Sequence, residues 1–194
     1  MNKRLQTLTL AALAVLVLSA CGGGSNGGSD GISPNPYEAP LISEADKSSY
    51  LNAINKARGK ARSCGGYPYA AVPPLVWDNA MYLASAEHAQ DMVISGTYSN
   101  LGSNTASDWT AQVQDLPEGG PSFPYDRAMN NGWPGNNGGE LVLTELRANN
   151  SSNVSSAINV ALLDEQSCND FMYANVKRVG VARVENTWVM LMTK

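Results

Sequence analysis

The 194-residue chain reads as an α+β protein. Three observations predict it: apolar residues recur at helical spacing between about residues 43 and 96, two β-rich runs close the C-terminus across a two-residue joint, and the span between them is punctuated by Gly, Pro and Asn. Helices gathered in the first half with strands at the end imply helices packed on a small antiparallel sheet. The chain carries no internal repeat.

The order of elements begins outside the domain. Lys3 and Arg4 are followed by an uncharged apolar run over residues 8–18, then by Leu18, Ser19, Ala20 and Cys21. A basic start, a short apolar stretch and small residues before a cut are the parts of an export signal, and the run is too short to span a membrane. The Leu-Ser-Ala-Cys sequence resembles the lipobox of bacterial lipoproteins, which implies cleavage after residue 20, lipid on Cys21 and a membrane partner through that lipid. An ordinary signal with an incidental cysteine is the other reading. Gly22 follows where aspartate would suggest inner-membrane retention, so outer-membrane delivery is favoured in a cell envelope with two membranes. Residues 22–40, rich in Gly, Ser, Asn and Pro, cannot bury enough apolar surface to order themselves. The organisation expected is thus a leader over 1–20, a tether over 21–42 and one domain over 43–194, large enough to bury its own core.

Removing the leader deletes Lys3 and Arg4 and leaves eleven cations against seventeen acids. Such an acidic surface argues against nucleic acid or anionic lipid as the main partner. Apart from Cys21, the cysteines are Cys64 and Cys168. In an oxidising compartment an even pair usually means a disulfide; two buried thiols or a cysteine nucleophile are the alternatives.

Within the domain, Ser43 can cap a first helix, with Glu44 and Asp46 in its first turn and Leu51, Ile54 and Ala61 as its apolar stripe; Gly65, Gly66 and Pro68 end it by Cys64. A second helix runs from an Asp78 cap to Gly96, with Met81, Ala84, His88 and Met92 on one stripe. Residues 99–139 read as loops with short helices, one near 125–130, and so long an irregular span suggests a functional surface or a family-specific insertion. Leu141, Leu143 and Leu146 favour a short strand, and Val154, Ala157, Ile158, Ala161 and Leu162 another amphipathic helix. RVGVARV and TWVMLMT, joined by Glu185 and Asn186, form a hairpin.

The run over residues 50–62, the segment VPPLVWDNAMYLASAEHAQDM, Asp126-Arg127 with Gly132-Trp133, Gly139-Glu140, and Ser167-Cys168 followed by RVGVA together resemble the CAP superfamily of cysteine-rich secretory, antigen 5 and pathogenesis-related 1 proteins. The resemblance covers about residues 48–194 and is closest to bacterial lipoprotein members. It implies an α-β-α sandwich and supports a bridge between Cys64 and Cys168. In that family a cleft often holds two histidines and two acids that can bind zinc. The first histidine position is occupied here by Asn100, in the run Tyr98-Ser99-Asn100, and the second by Ser167. One family acid matches Glu140, although Leu141 replaces the asparagine after it, and Asp164 is a candidate for the second.

Neither Asn nor Ser is a useful zinc ligand, so no metal and no other cofactor is expected. The single histidine, His88, shares a stripe with Ala84 and Met92, which fits a core residue whose ring bonds to backbone or acid groups. Asp91, three residues on, could orient it, or could be an ordinary helix contact. No glycine-rich phosphate loop precedes a strand. The expected function is a noncatalytic binding module whose cleft keeps Asn100, Glu140, Asp164 and Ser167 for an extracytoplasmic lipid, glycan or envelope protein. The alternative is a hydrolase using Glu140 or Asp164 as acid or base.

Overall fold

A computed structural model describes residues 39–114, 116, 119–135 and 143–194. The leader, Cys21, the tether before residue 39, and Glu140 with Leu141 lie outside the described residues.

The first helix, α1 (Glu44–Arg58), starts where its cap dictates: Ser43 Oγ accepts from the Asp46 N–H at 3.1 Å. It ends six residues earlier than the sequence suggests. Gly59 closes it by donating to Asn55 O, and Arg62 Nη2 donates to the carbonyl of Ala57 at 2.9 Å. With those C-terminal carbonyls satisfied, the chain turns into a small hairpin of β1 (Arg62–Cys64) and β2 (Tyr67–Tyr69), so Ala61 is no part of the helical stripe. Gly65 and Gly66, both in the left-handed region, make that turn rather than a helix end.

The second helix, α2 (Asn79–Ser95), matches its expected bounds. Asp78 Oδ1 accepts from the Met81 N–H at 3.1 Å, and Gly96 closes the far end in the left-handed conformation. Met81, Ala84, His88 and Met92 are all buried. Two short helices, α3 (Trp109–Val113) and α4 (Pro124–Asn130), interrupt the irregular span. They are followed by α5 (Val154–Ala161), capped by Asn153, and by α6 (Glu165–Phe171), capped by Asp164.

Four strands, β3 (Val76–Trp77), β4 (Leu143–Ala148), β5 (Arg178–Val184) and β6 (Thr187–Thr193), form the main sheet in the order β3-β5-β6-β4. The expected hairpin is β5-β6, with Val184 opposite Thr187 across the turn. The sheet is not wholly antiparallel, which corrects the simpler expectation. β3 runs parallel to β5, held by Val76 N–H to Lys177 O and Asp78 N–H to Val179 O, both at 2.9 Å. A two-residue strand shows no periodicity, and only the sheet edge beside it makes it a strand.

Alternation along β6 explains why the strand is buried from end to end. Trp188, Met190 and Met192 face a core shared with Ile54 of α1, Ile158 of α5 and Phe171 of α6. Val189 and Leu191 face the other way, towards Met81, Ala84, Ala89 and Met92 of α2 and Ala128 of α4. Helices therefore cover both faces, giving the α-β-α sandwich. On the α2 face, a Cβ at Gly180 would collide with the backbone of Met81 and Tyr82, so glycine lets the helix lie directly on β5. On the other face, Cys64 and Cys168 are bonded, with Cα atoms 5.5 Å apart, and this disulfide ties β1 to α6.

Of the segment read as tether, residues 39–42 are described. Ala39 and Ile42 pack near Tyr82, Ala86 and Ala182, and Tyr82 Oη donates to Pro40 O.

Candidate functional site

Helix α2 is buried on nearly every side, so its polar side chains must find partners within the protein. Three of them, Glu87, His88 and Asp91, do so by reaching into the irregular span. Glu87 accepts from the Thr110 N–H at 2.8 Å and from Asn131 Nδ2 at 2.7 Å. Asp91 accepts from Ser103 N–H at 2.8 Å and from the hydroxyls of Ser103 and Ser107 at 2.5 and 2.6 Å. His88 Nε2 donates to Ser99 O at 2.8 Å.

Arg127 of α4 is the hub of the same layer. Its Nη1 donates to Ser122 O and Oγ, and its Nη2 donates to Asn100 O and to Glu145 Oε2, both at 2.8 Å. Glu145 comes from β4, and its other oxygen lies 3.3 Å from His88 Nε2, near enough for charge contact although the ring hydrogen points to Ser99. The side chains of His88, Arg127 and Glu145 are at most 1 % exposed. Asp108, also buried, accepts from the N–H groups of Asn104 and Ser122 and from Ser122 Oγ. The loops are thereby pinned from beneath at Ser99, Asn100, Ser103, Asn104, Ser107, Thr110 and Ser122 by buried polar and charged side chains.

Burial sets the protonation of this layer. Desolvation holds the His88 imidazole below its ordinary pKa, against the pull of Glu145. Burial likewise pushes Glu87 up, opposed by its bonds from Thr110 and Asn131. His88 is therefore a neutral structural donor, as its place on the apolar stripe suggests. Asp91 bonds to serines and not to the imidazole.

The residues expected in the cleft fall in two places. Asn100 is exposed, and only its backbone oxygen is engaged, by Arg127. Asp164 and Ser167 are brought together by a helix cap: Asp164 Oδ1 accepts from the Ser167 N–H at 2.8 Å. That bond, with the Ser167 hydroxyl next, holds Asp164 below the usual carboxylate range. No bond among the described residues joins Asn100 to Asp164 or Ser167. Arg147 of β4 lies over the Tyr98 ring at 4.9 Å, and its charge is the smallest of the influences that lower Asp164. Glu140 lies outside the described residues.

Sequence reasoning missed Glu145, Glu87 and the hub role of Arg127. Only Glu87 carried a local signal, standing beside His88 and four residues before Asp91 on a helix rich in Ala and Met; Arg127 and Glu145 lie on other elements, and nothing on α2 marks them. Among the described residues no three His, Cys, Asp or Glu side chains gather as a metal-binding group.

The fold is thus an α-β-α sandwich with a disulfide on one face and an irregular span pinned by buried charge on the other. A family model of the cysteine-rich secretory protein family (CAP) matches residues 51–191, and the chain belongs to that family. Two solved structures share the fold. One is an extracellular protein containing an SCP domain from Bacillus anthracis str. Ames, at 16% identity and a TM-score of 0.51, covering 86% of this chain and 45% of that one. The other is an outer surface protein from Borrelia burgdorferi, at 13% identity and a TM-score of 0.55, covering 79% of this chain and 96% of that one. This chain thus spans less than half the length of the Bacillus protein. No curated protein matches it.

Proposed function

We propose that the protein is a noncatalytic CAP binding module, displayed at the cell envelope on a lipid carried by Cys21 and presenting residues 98–130 to an extracytoplasmic lipid, glycan or envelope protein. The observation that carries this reading is the burial of His88. The chain's single imidazole is 0 % exposed and its Nε2 is committed to Ser99 O, so it serves the shape of the loops and not a reaction. Around that layer the loops expose Tyr98, Leu101 and Phe123, and α4 exposes Tyr125 and Met129, side chains suited to contact with a partner. The two fold relatives, one an extracellular protein and one an outer surface protein, agree with an envelope location.

The cleft of the family keeps Asn100 and Ser167 where zinc would need histidines, so the module works without metal. A hydrolase using Asp164 has less support: a carboxylate lowered by its bonds to Ser167 is a weaker base, where a general base is tuned upward.

The anchor is tested by Cys21→Ser, which is expected to move the protein from the membrane to the soluble fraction; retention at the wild-type level overturns it. Presentation by the loops is tested by adding the full chain to purified peptidoglycan and to phospholipid vesicles, before and after Tyr98→Ala with Tyr125→Ala. Loss of binding with unchanged thermal stability supports the reading. Turnover of either material, abolished by Asp164→Asn, overturns it in favour of the hydrolase.

A further inference from the structure

On the opposite side of the sheet from the pinned loops, α1 and α5 leave a groove of about 400 Å³ between them. One wall is Ala53, Lys56 and Ala57 of α1, followed past the helix end by Lys60 and by Arg62 of β1; the other carries Ser155 and Asn159, with Ile158 buried. Three cations line it and no acid does, in a chain whose acids outnumber its cations.

Cations near a helix C-terminus often answer only the helix's own free carbonyls. Arg62 does part of that work, through Nη2 to Ala57 O. Its Nε is buried without a partner, and its guanidinium lies 5.5 Å over the Phe171 ring, so the charge is drawn partly out of water with no counter-ion. The Lys56 and Lys60 ammonium groups bond to no carbonyl and no acid among the described residues. Three uncompensated charges held along one groove repel one another, and a bound anion of about two negative charges relieves that repulsion.

We propose that the α1–α5 groove binds a phosphate-bearing ligand, with Lys56, Lys60 and Arg62 meeting the phosphate and Ser155 and Asn159 donating to the group that carries it. Arg62, with Nη2 committed to Ala57 O and Nε buried, offers Nη1 beside two flexible lysines, and the two α5 side chains add neutral donors. The volume exceeds what a bare phosphate fills and lies within the range of small-ligand pockets, which points to a phosphomonoester or phosphodiester of a small polar molecule. A soluble metabolite and a phospholipid headgroup share that chemistry. The site is independent of the loop surface proposed above.

The test is titration of the isotopically labelled full chain with glycerol 3-phosphate, and separately with phosphatidylcholine vesicles with and without phosphatidylglycerol. Shifts confined to the amides of residues 53–62 and 155–159 are expected, weakened roughly tenfold in Lys56→Glu with Lys60→Glu. The charge-matched pair Lys177→Glu with Lys194→Glu, outside the groove, is expected to bind as the wild type does. Response to glycerol 3-phosphate identifies a soluble ligand; response only to phosphatidylglycerol vesicles identifies a headgroup. No response at the groove to either probe, or equal weakening by the two charge-matched pairs, overturns the proposal.

Discussion

The two faces of one sheet are held by different physics. Towards α1, α5 and α6 the core is mainly apolar, with Ile54, Leu146, Ile158, Phe171, Trp188 and Met190 packed together and a disulfide at the edge; its buried charge is Arg58, at the end of α1, which donates to the carbonyls of Pro73, Phe171 and Tyr173. Towards α2 and α4 the apolar contacts are smaller clusters, and beneath the loops charge replaces them: Glu87, His88, Asp91, Asp108, Arg127 and Glu145 are all buried. Dispersion is tolerant of shape, whereas hydrogen bonds demand particular atoms at particular places. The first face supplies stability, and the second fixes a loop conformation that has no regular structure of its own.

If that division is right, cutting the disulfide costs the most stability and changes the loops least. Cys64→Ser with Cys168→Ser frees a loop closed across 104 residues, which the chain-entropy model sets at up to about 4.7 kcal/mol. Urea unfolding is expected to show most of that loss, while amide exchange at residues 99–108 in the folded protein stays as in the wild type. Exchange that accelerates first in those loops would break the comparison.

Glu145→Ala tests the other face. It leaves Arg127 buried and short of its one carboxylate partner among the described residues, at a cost of about 3 kcal/mol. The decisive reading is local: protection of Ser99, Asn100 and Ser103 is expected to fall while the amides of α1 and α5 keep theirs. Arg127→Lys is expected to lose the same loop order, because a single ammonium cannot reach Ser122, Asn100 and Glu145 together.

The same contrast decides what could be read in advance. Caps and periodicity are local, so Asp78 and Gly96 bracket α2 correctly, and the two β-rich runs give the β5-β6 hairpin. The end of α1 was misjudged because Gly59, the true stop, was passed over for Gly65 and Gly66, which belong to a hairpin turn. β3 was invisible because two residues carry no pattern, and its identity depends on β5 about a hundred residues later. Glu145 was missed for a related reason. In the alternating strand LTELRA it occupies a place where polar residues ordinarily face water, and only Arg127, eighteen residues earlier, turns that place into an ion pair. Where Asn100, Asp164 and Ser167 would sit came from family resemblance; how they are held did not.

Acid sharpens the comparison further. His88 in the fold titrates below its ordinary value near 6.5, so as pH falls the unfolded chain takes up the proton first. Stability from this group is present above about pH 6.5 and is lost as pH drops below it, by at most about 1.4 kcal/mol per pH unit for one proton. Glu145, Arg127 and Asp91 are the charges acting on the ring, and Glu145 and Asp91 oppose the shift without reversing it. Urea midpoints measured down from pH 7 are expected to fall in the wild type and to fall less in His88→Gln. Parallel curves would mean that the imidazole is not held neutral.

The smallest effect concerns Asp164, where a cap and a reactive acid make opposite forecasts. As the cap of α6, Asp164 accepts from the Ser167 N–H, and its removal in Asp164→Ala costs about 1 kcal/mol. Asp164→Asn, which keeps an accepting oxygen, is expected to cost a fraction of that. The side chain is exposed, and its pKa is lowered chiefly by the backbone bond to Ser167, so its stabilising part is present above the ordinary carboxylate value and is lost as pH falls through the folded one. A cap therefore ranks the variants by hydrogen-bonding capacity, with Asn close to wild type and Ala weakest. A general acid or base ranks them by ionisation, with Asn as damaging as Ala. Thermal unfolding of the two variants, read beside their binding to the loop ligand, separates the cases: equal loss of function from both, at nearly unchanged stability, would return Asp164 from the fold to the chemistry.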